Sequence, residues 1–229
     1  MWASFTRVRA DPARTEEAID LVRRHLVPEF VGSDGSQQGY WMLDRTTGTG
    51  LVVRCWRDLA ALEAGRSGDG AARTTVIERL DAMLCETGTY EVHGLRGASA
   101  PIDGGHAWSR VTFVEGVDPV ALLEGHDLYE RTYEQVADQP GFLSLCWLVD
   151  PDTGNGMSIS TWRTDEDLRA SGPHGRRLRR RVARALGCRV EDVVDVETIG
   201  TARYRPAGAT LDLRDGAATT APEIAGTST

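Results

Sequence analysis

Alternating apolar and polar positions from Ala3 to Arg9 predict a first strand, and Ala107 to Val114 repeats the pattern with Phe5-Thr-Arg7-Val8 set against Trp108-Ser-Arg110-Val111. Asp11-Pro12 and Asp118-Pro119 then supply an N-cap followed by a proline suited to the first helical position. Ile19, Val22 and Leu26 fall on one helical stripe. Leu122, His126, Tyr129, Tyr133 and Val136 form another, at spacings of three and four residues. Second strands are expected from Gly39-Tyr-Trp41 and from Pro140-Gly-Phe142, third strands over Leu51–Trp56 and Met157–Trp162. Further helices are expected near Ala71 to Leu84 and Gly175 to Leu186. Tyr90–His93 and Val193–Ile199 read as fourth strands.

The order β-α-β-β-α-β thus occurs twice, and one stretch shows the repetition directly. Asp44-Arg-Thr-Thr-Gly-Thr-Gly50, an apolar run, Trp56-Arg57 and Leu62 is echoed by Asp150-Pro-Asp-Thr-Gly-Asn-Gly156, another run, Trp162-Arg163 and Leu168. The offset is 106 (162 − 56, 150 − 44). Asp, Thr and Gly between two apolar runs predict a β-hairpin. The first strands align best at an offset of 103, which makes Arg7 and Arg110 a pair. The fold class is therefore α+β, two ferredoxin-like βαββαβ repeats. The expected boundaries are 1–95 and 106–206 for the repeats, 96–105 for a Gly/Ala/Pro-rich linker and 207–229 for a flexible tail.

Composition narrows the function classes. A formal charge of −8 over 229 residues argues against a nucleic-acid-binding surface. The arginine-rich run Arg176–Arg184 fits a helix whose Leu178, Val182 and Ala185 or Leu186 are buried while its arginines face solvent. No stretch approaches eighteen apolar residues and Met1 leads at once into a strand, so no membrane partner and a cytoplasmic location are expected. All 26 basic residues are arginine, which removes Schiff-base chemistry and the phosphate-binding loop that needs lysine. Cys55, Cys85, Cys146 and Cys188 lack Cys-x-x-Cys spacing and read as reduced core residues.

The layout of strand, helix, Pro140-Gly-Phe142, strand, Asp150-x-x-Thr-Gly-x-Gly156, strand, Trp162 and helix resembles the antibiotic biosynthesis monooxygenase family of dimeric α+β barrels, over nearly all of both halves. The resemblance implies a fused pseudo-dimeric α+β barrel whose two sheets meet, with a small cavity in each half between sheet and helices. It implies oxygenation of a small aromatic or polyketide-like molecule by dioxygen, with no cofactor. A non-oxidative ligand-binding or cyclase-like protein is the alternative. Two fused chains associating into a homodimer is compatible with either. The haem-degrading branch of the superfamily differs. Where it carries a second Trp this chain has Gly65 and Ser171, and where it carries an axial His this chain has Thr75 and Arg181.

Oxygenation without a cofactor requires a base, a partner for an oxyanion and a dry aromatic pocket. His126 is the candidate base, with Glu130 one turn on, a spacing that His25 and Glu29 keep in the first half. Arg110 is the candidate oxyanion partner, although a strand arginine also suits an internal ion pair. Trp108, Tyr129, Tyr133, Trp147 and Trp162 are the candidate substrate-binding residues, each also suited to the core. Two His/Glu ligands per half are too few to define a metal site. His174 lies at the start of a predicted helix and is a weaker candidate.

Overall fold

The computed structural model describes residues 1–68, 70–97 and 107–203. The expected tail 207–229 and all but the first two residues of the expected linker lie outside the described residues. The first half runs β1 (Trp2–Arg9), α1 (Thr15–Leu21), a π-helical segment (Val22–Leu26), α2 (Val27–Gly32), β2 (Ser36–Asp44), β3 (Thr49–Trp56), α3 (Leu59–Gly68), α4 (Gly70–Leu80) and β4 (Met83–Gly97). The second runs β5 (Ala107–Glu115), α5 (Pro119–Glu124), α6 (His126–Ala137), β6 (Phe142–Val149), β7 (Gly156–Trp162), α7 (Asp165–Ala170), α8 (Gly172–Ala185) and β8 (Arg189–Arg203).

All eight strands close into one antiparallel barrel in the order β1-β3-β2-β8-β5-β7-β6-β4. The fourth strands make the closure. β4 pairs with β1 through Glu91 and then with β6 as far as Gly97, and β8 pairs with β5 and then with β2. Both are much longer than their apolar patterns suggested, because their first halves are largely exposed. β4 also runs into the segment expected as linker. The sheets therefore join edge to edge, which leaves no unpaired barrel edge.

Register repeats as faithfully as element order. Trp2 faces Trp56 as Trp108 faces Trp162, Trp2 faces Glu91 as Trp108 faces Glu197, and Trp41 faces Gly200 as Trp147 faces Gly94. Each correspondence is an offset of 106 (108 − 2, 197 − 91, 147 − 41, 200 − 94). The expected offset of 103 for the first strands is thus wrong by three residues, an odd slip that turns side chains to the other face. Arg110 corresponds to Ser4 rather than Arg7. Arg7 instead lies against the lumen-facing Phe5 and Phe113 rings and pairs with Glu86.

Alternation along each strand sends one set of side chains inward and one outward. The lumen is filled by Phe5, Tyr40, Met42, Val53, Cys55, Tyr90, Val111, Phe113, Cys146, Leu148 and Ile159 among others. Burial raises the Tyr40 phenol well above its ordinary range. Of the four cysteines, Cys55 and Cys146 sit in this core and Cys188 is half-buried, whereas Cys85 is exposed near the start of β4, contrary to the core expectation. The outward faces pack under the helices in two further cores, one per half.

Helix starts follow the sequence closely. Asp11 and Asp118 accept hydrogen bonds from the amides of Ala13 (2.9 Å) and Val120 (2.8 Å) ahead of their prolines. The long stripe of the second half is broken at Gly125, which separates α5 from α6, so Leu122 and His126 belong to different helices. The helix expected from Ala71 to Leu84 is α4, which ends at Leu80 with Met83 and Leu84 already in β4. The helix expected from Gly175 to Leu186 is α8, and the further helices α3 and α7 precede them.

The two hairpin turns share a common frame, to which the first adds a hydrogen bond from Thr47 Oγ1 to Asp44 Oδ2 at 2.7 Å. The Gly48 and Gly154 amides donate to the Asp44 and Asp150 carbonyls, both at 2.9 Å, and each Asp side chain accepts from the amide two residues on. Gly48 has φ +69°, and a Cβ there would stand 2.1 Å from the Ala10 carbonyl oxygen. Gly154 has φ +70° with its nearest contact at 3.0 Å. Gly48→Ala is expected to lower stability by about 1–3 kcal/mol and Gly154→Ala by less, measured by thermal or urea unfolding. Equal midpoints for Gly48→Ala and the parent would contradict this account of the turn.

Candidate functional site

Outward alternation in the second half points Arg110, Thr112 and Val114 of β5, Leu145, Trp147 and Val149 of β6, and Ser158, Ser160 and Trp162 of β7 toward α6 and α8. Together with Val136, Ser171, Leu178, Val182 and Leu186 they line a cavity of about 100 Å³. A dry, apolar cavity of about 150 Å³ accepts a benzene ring, so this volume suits one ring at most unless a ligand extends through the mouth.

The cavity has a polar and an apolar end, set by strand register. Arg110 lies opposite Ser160 at one end, and Val114 opposite Gly156 at the other. Four residues of strand separate them, about 13 Å. Ser171 and Arg179 join the Arg110 end, while Val117, Val149 and Leu186 join the Val114 end.

Arg110 is the best-held polar group there. Its Nε and Nη2 donate to the two carboxylate oxygens of Asp195, both at 2.7 Å, and its Nη1 donates to Ser171 Oγ at 3.1 Å. The ion pair favoured by the sequence is therefore present, bidentate and one-sided in burial: the Arg110 side chain is 9% exposed and that of Asp195 40%. A guanidinium has five N–H donors, so two remain for a ligand. Ser171 Oγ in turn donates to the Leu168 carbonyl at 2.6 Å, which fixes the acceptor that Arg110 meets.

The other expected residues divide. Trp147 and Trp162 line the cavity, the Trp162 indole donating to Ser160 Oγ at 3.2 Å. Trp108 is half-buried in the same core without reaching the lining. Tyr129 is committed elsewhere: its hydroxyl donates to the Leu145 carbonyl at 2.8 Å, its ring meets Trp147 edge-on, and burial raises its phenol far above the ordinary range. Tyr133 lies edge-on to Phe142 with the Arg96 guanidinium 6.0 Å from its centre. The side chain of His126 lies outside the described residues, although its backbone opens α6. Glu130, its expected partner, forms an ion pair with Arg96 at 2.9 Å. His25 is exposed in the π-helical segment, at a different place in its half, so the two histidines are not counterparts.

Arg179 was missed because the run Arg176–Arg184 looks uniformly solvated. It follows the buried Leu178 and is itself half-buried, and it lines the cavity. Burial lowers its pKa, the Arg110 charge lowers it further, and Asp195 opposes both. The readable signal was the small residue one turn earlier, Gly175, which also lines the cavity.

Comparison of the halves explains the cavity. The Ser33 and Gln139 amides donate to the Phe30 and Val136 carbonyls, which makes Phe30 and Val136 counterparts at the ends of α2 and α6. Phe30 stacks edge-on to both Trp41 (5.6 Å) and Trp56 (5.1 Å) and is 1% exposed. The smaller Val136 holds that place and lines the cavity with Trp147 and Trp162, which meet Tyr129 and Phe142 edge-on instead. Gly65, facing the Trp56 ring edge, likewise corresponds to Ser171.

No family model matches the chain, and no curated protein matches it. Solved structures share its fold. A candidate monooxygenase from Fusobacterium nucleatum superposes with TM-score 0.65 at 10% identity, over 88% of this chain and 94% of its own. An anthrone oxidase-like protein gives 0.59 at 16%, over 92% and 94%, and a candidate chlorite dismutase 0.52 at 11%, over 86% and 93%. The resemblance to antibiotic biosynthesis monooxygenases drawn from the sequence thus holds at the level of fold. Among the described residues no helix is long and apolar enough to cross a membrane.

Val136→Phe is expected to recreate the packing of the first half. Binding of small aromatics, followed by tryptophan fluorescence, falls below detection while the thermal midpoint stays level or rises. Undiminished binding by a folded Val136→Phe protein would mean the ligand sits elsewhere.

Proposed function

We propose that the chain is a fused pseudo-dimer of two ferredoxin-like repeats, 1–95 and 106–206, whose second half oxygenates a small aromatic or polyketide-like molecule with dioxygen and no cofactor. The common offset of 106 in every strand pairing supports the fused arrangement. The functional reading is carried by one observation: a buried arginine, Arg110, held rigidly at the end of a cavity walled by Trp147 and Trp162. The shared fold with monooxygenase-like proteins supports it as well.

In this reading the phenolate or carbanion form of the substrate lies against the ring faces with its oxygen toward the free N–H groups of Arg110. It passes one electron to dioxygen, and the radical pair joins through a new C–O bond as a peroxide anion, which takes up the proton the base removed and becomes a hydroperoxide. Loss of water then leaves a carbonyl. The arginine lowers the cost of the anion, and the apolar end excludes water. His126 remains the proposed base.

The alternative is a ligand-binding or cyclase-like protein. The described lining favours it in one respect: hydroxyls, apolar groups, guanidiniums and the Cys188 thiol, which burial holds protonated, bind and orient a ligand without removing a proton. Haem held as in the haem-degrading branch does not fit these residues. Ser171 is taken by Arg110, and Arg181, at the axial place, is exposed, hydrogen-bonded to Gln135 and without a lone pair to offer iron.

Oxygen uptake by metal-stripped protein with phenols ranging from one ring to anthrone distinguishes the readings. Uptake above a heat-killed control, reduced about 100-fold in Arg110→Met, is the expected result. Saturable binding without uptake identifies the non-oxidative alternative, and neither binding nor uptake contradicts both.

A further inference from the structure

The charges at the polar end of the cavity do not balance. Arg110 and Arg179 both line it, and their Nη1 atoms lie 3.7 and 3.0 Å from the point where a Cβ on Gly175 would stand. The two guanidiniums therefore converge on one patch of wall, which is open because residue 175 is glycine. Arg176, one turn before Arg179 and Arg180, adds a third positive charge to the field at Arg179. The opposing carboxylate is Asp195, committed to Arg110 through both oxygens and half turned to water. Bringing two like charges together, one on a buried and one on a half-buried side chain, is unfavourable unless an anion completes the set. The opposite end, four strand residues away, is formed by Val114, Val117, Val149 and Leu186, so the cavity is amphipathic along its length.

We propose that the cavity is an anion site selecting a single-ring aromatic monoanion, a carboxylate or an ionised phenol. Its charged group lies between Arg110 and Arg179 at Gly175, and its ring lies beside Trp147 and Trp162. The inference rests on the reading of this cavity as an aromatic pocket and adds the charge and size of what enters it. Arg110 supplies rigidity through Asp195 and Ser171. Arg179, on α8, supplies the charge that the ion pair leaves unspent. The cavity volume of about 100 Å³ sets the size, since it holds one ring and a fused tricyclic system must extend through the mouth. An ionised ligand also needs no base in the wall to bind.

The test uses the full chain and an isosteric pair, 4-methylbenzoate and 4-methylbenzamide, with binding followed by tryptophan fluorescence and calorimetry at neutral pH. The benzoate is expected to bind at least tenfold more tightly than the benzamide, with the difference shrinking as salt is raised. Arg179→Met removes most of that preference, lowering benzoate affinity far more than benzamide affinity. Arg179→Lys, which keeps the charge and loses the planar fork, restores part of it. A matching thermal midpoint for Arg179→Met shows that the fold is intact. Equal affinity for the two ligands in the parent, or an unchanged preference in a folded Arg179→Met, overturns the anion proposal and leaves the aromatic pocket standing. Binding of neither ligand overturns both.

Discussion

Closure of the barrel is the constraint from which the rest follows. A four-stranded sheet with helices on one face leaves an apolar face and two unpaired edges, and here both problems are solved by extending the fourth strands. β4 and β8 are fifteen residues each, long enough to pair first with their own β1 or β5 and then with the second strand of the other half. The seams bury the inward faces around Phe5, Tyr40, Val111, Phe113 and Ile159 in a filled lumen. Room for a ligand is then left on the outer faces, under the helices.

On those faces the halves have diverged while the frame has not. Register is kept at every pair of strands, but in the first half Trp41, Phe30 and Trp56 pack as an aromatic trio. In the second, Val136 stands for Phe30 and Ser171 for Gly65. An arginine has also changed strands. The first half carries Arg54 on β3 opposite Ser4, the second carries Arg110 on β5 opposite Ser160. Burial above all, with the nearby Arg73 and Arg66 charges and against Glu29, lowers the pKa of Arg54 to about 10. Each half thus keeps one deep guanidinium under its helices, and that of the second lines the cavity.

Much of this frame was legible in the sequence. Apolar periodicity, paired Asp-Pro caps and the doubled Asp-x-x-Thr-Gly-x-Gly turn gave element order, helix starts and hairpins, because each rests on local geometry. The fourth strands read short because their outer halves are exposed and carry no alternation. The offset of 103 for β1 failed for a related reason: matching Arg7 to Arg110 by residue type overlooks which face of the pleat each occupies, and that is fixed by pairing with β3 and β7. At the site, Arg110, Trp147 and Trp162 were readable as large or charged residues on outward strand positions. Tyr129 and Tyr133 share a helical stripe with Val136, yet their hydroxyl and ring contacts go to the Leu145 carbonyl and to Phe142. Arg179 was hidden in a run of arginines, since composition does not tell which of them follows a buried leucine.

The central claim is that function resides in the second half, on the outer face of its strands, where Val136 replaces a phenylalanine. The six tryptophan indole N–H groups report on this directly by two-dimensional NMR during titration with a single-ring aromatic anion. The account predicts saturable shifts of the Trp147 and Trp162 signals with those of Trp41 and Trp56 unmoved. Shifts confined to Trp41 and Trp56 would contradict it.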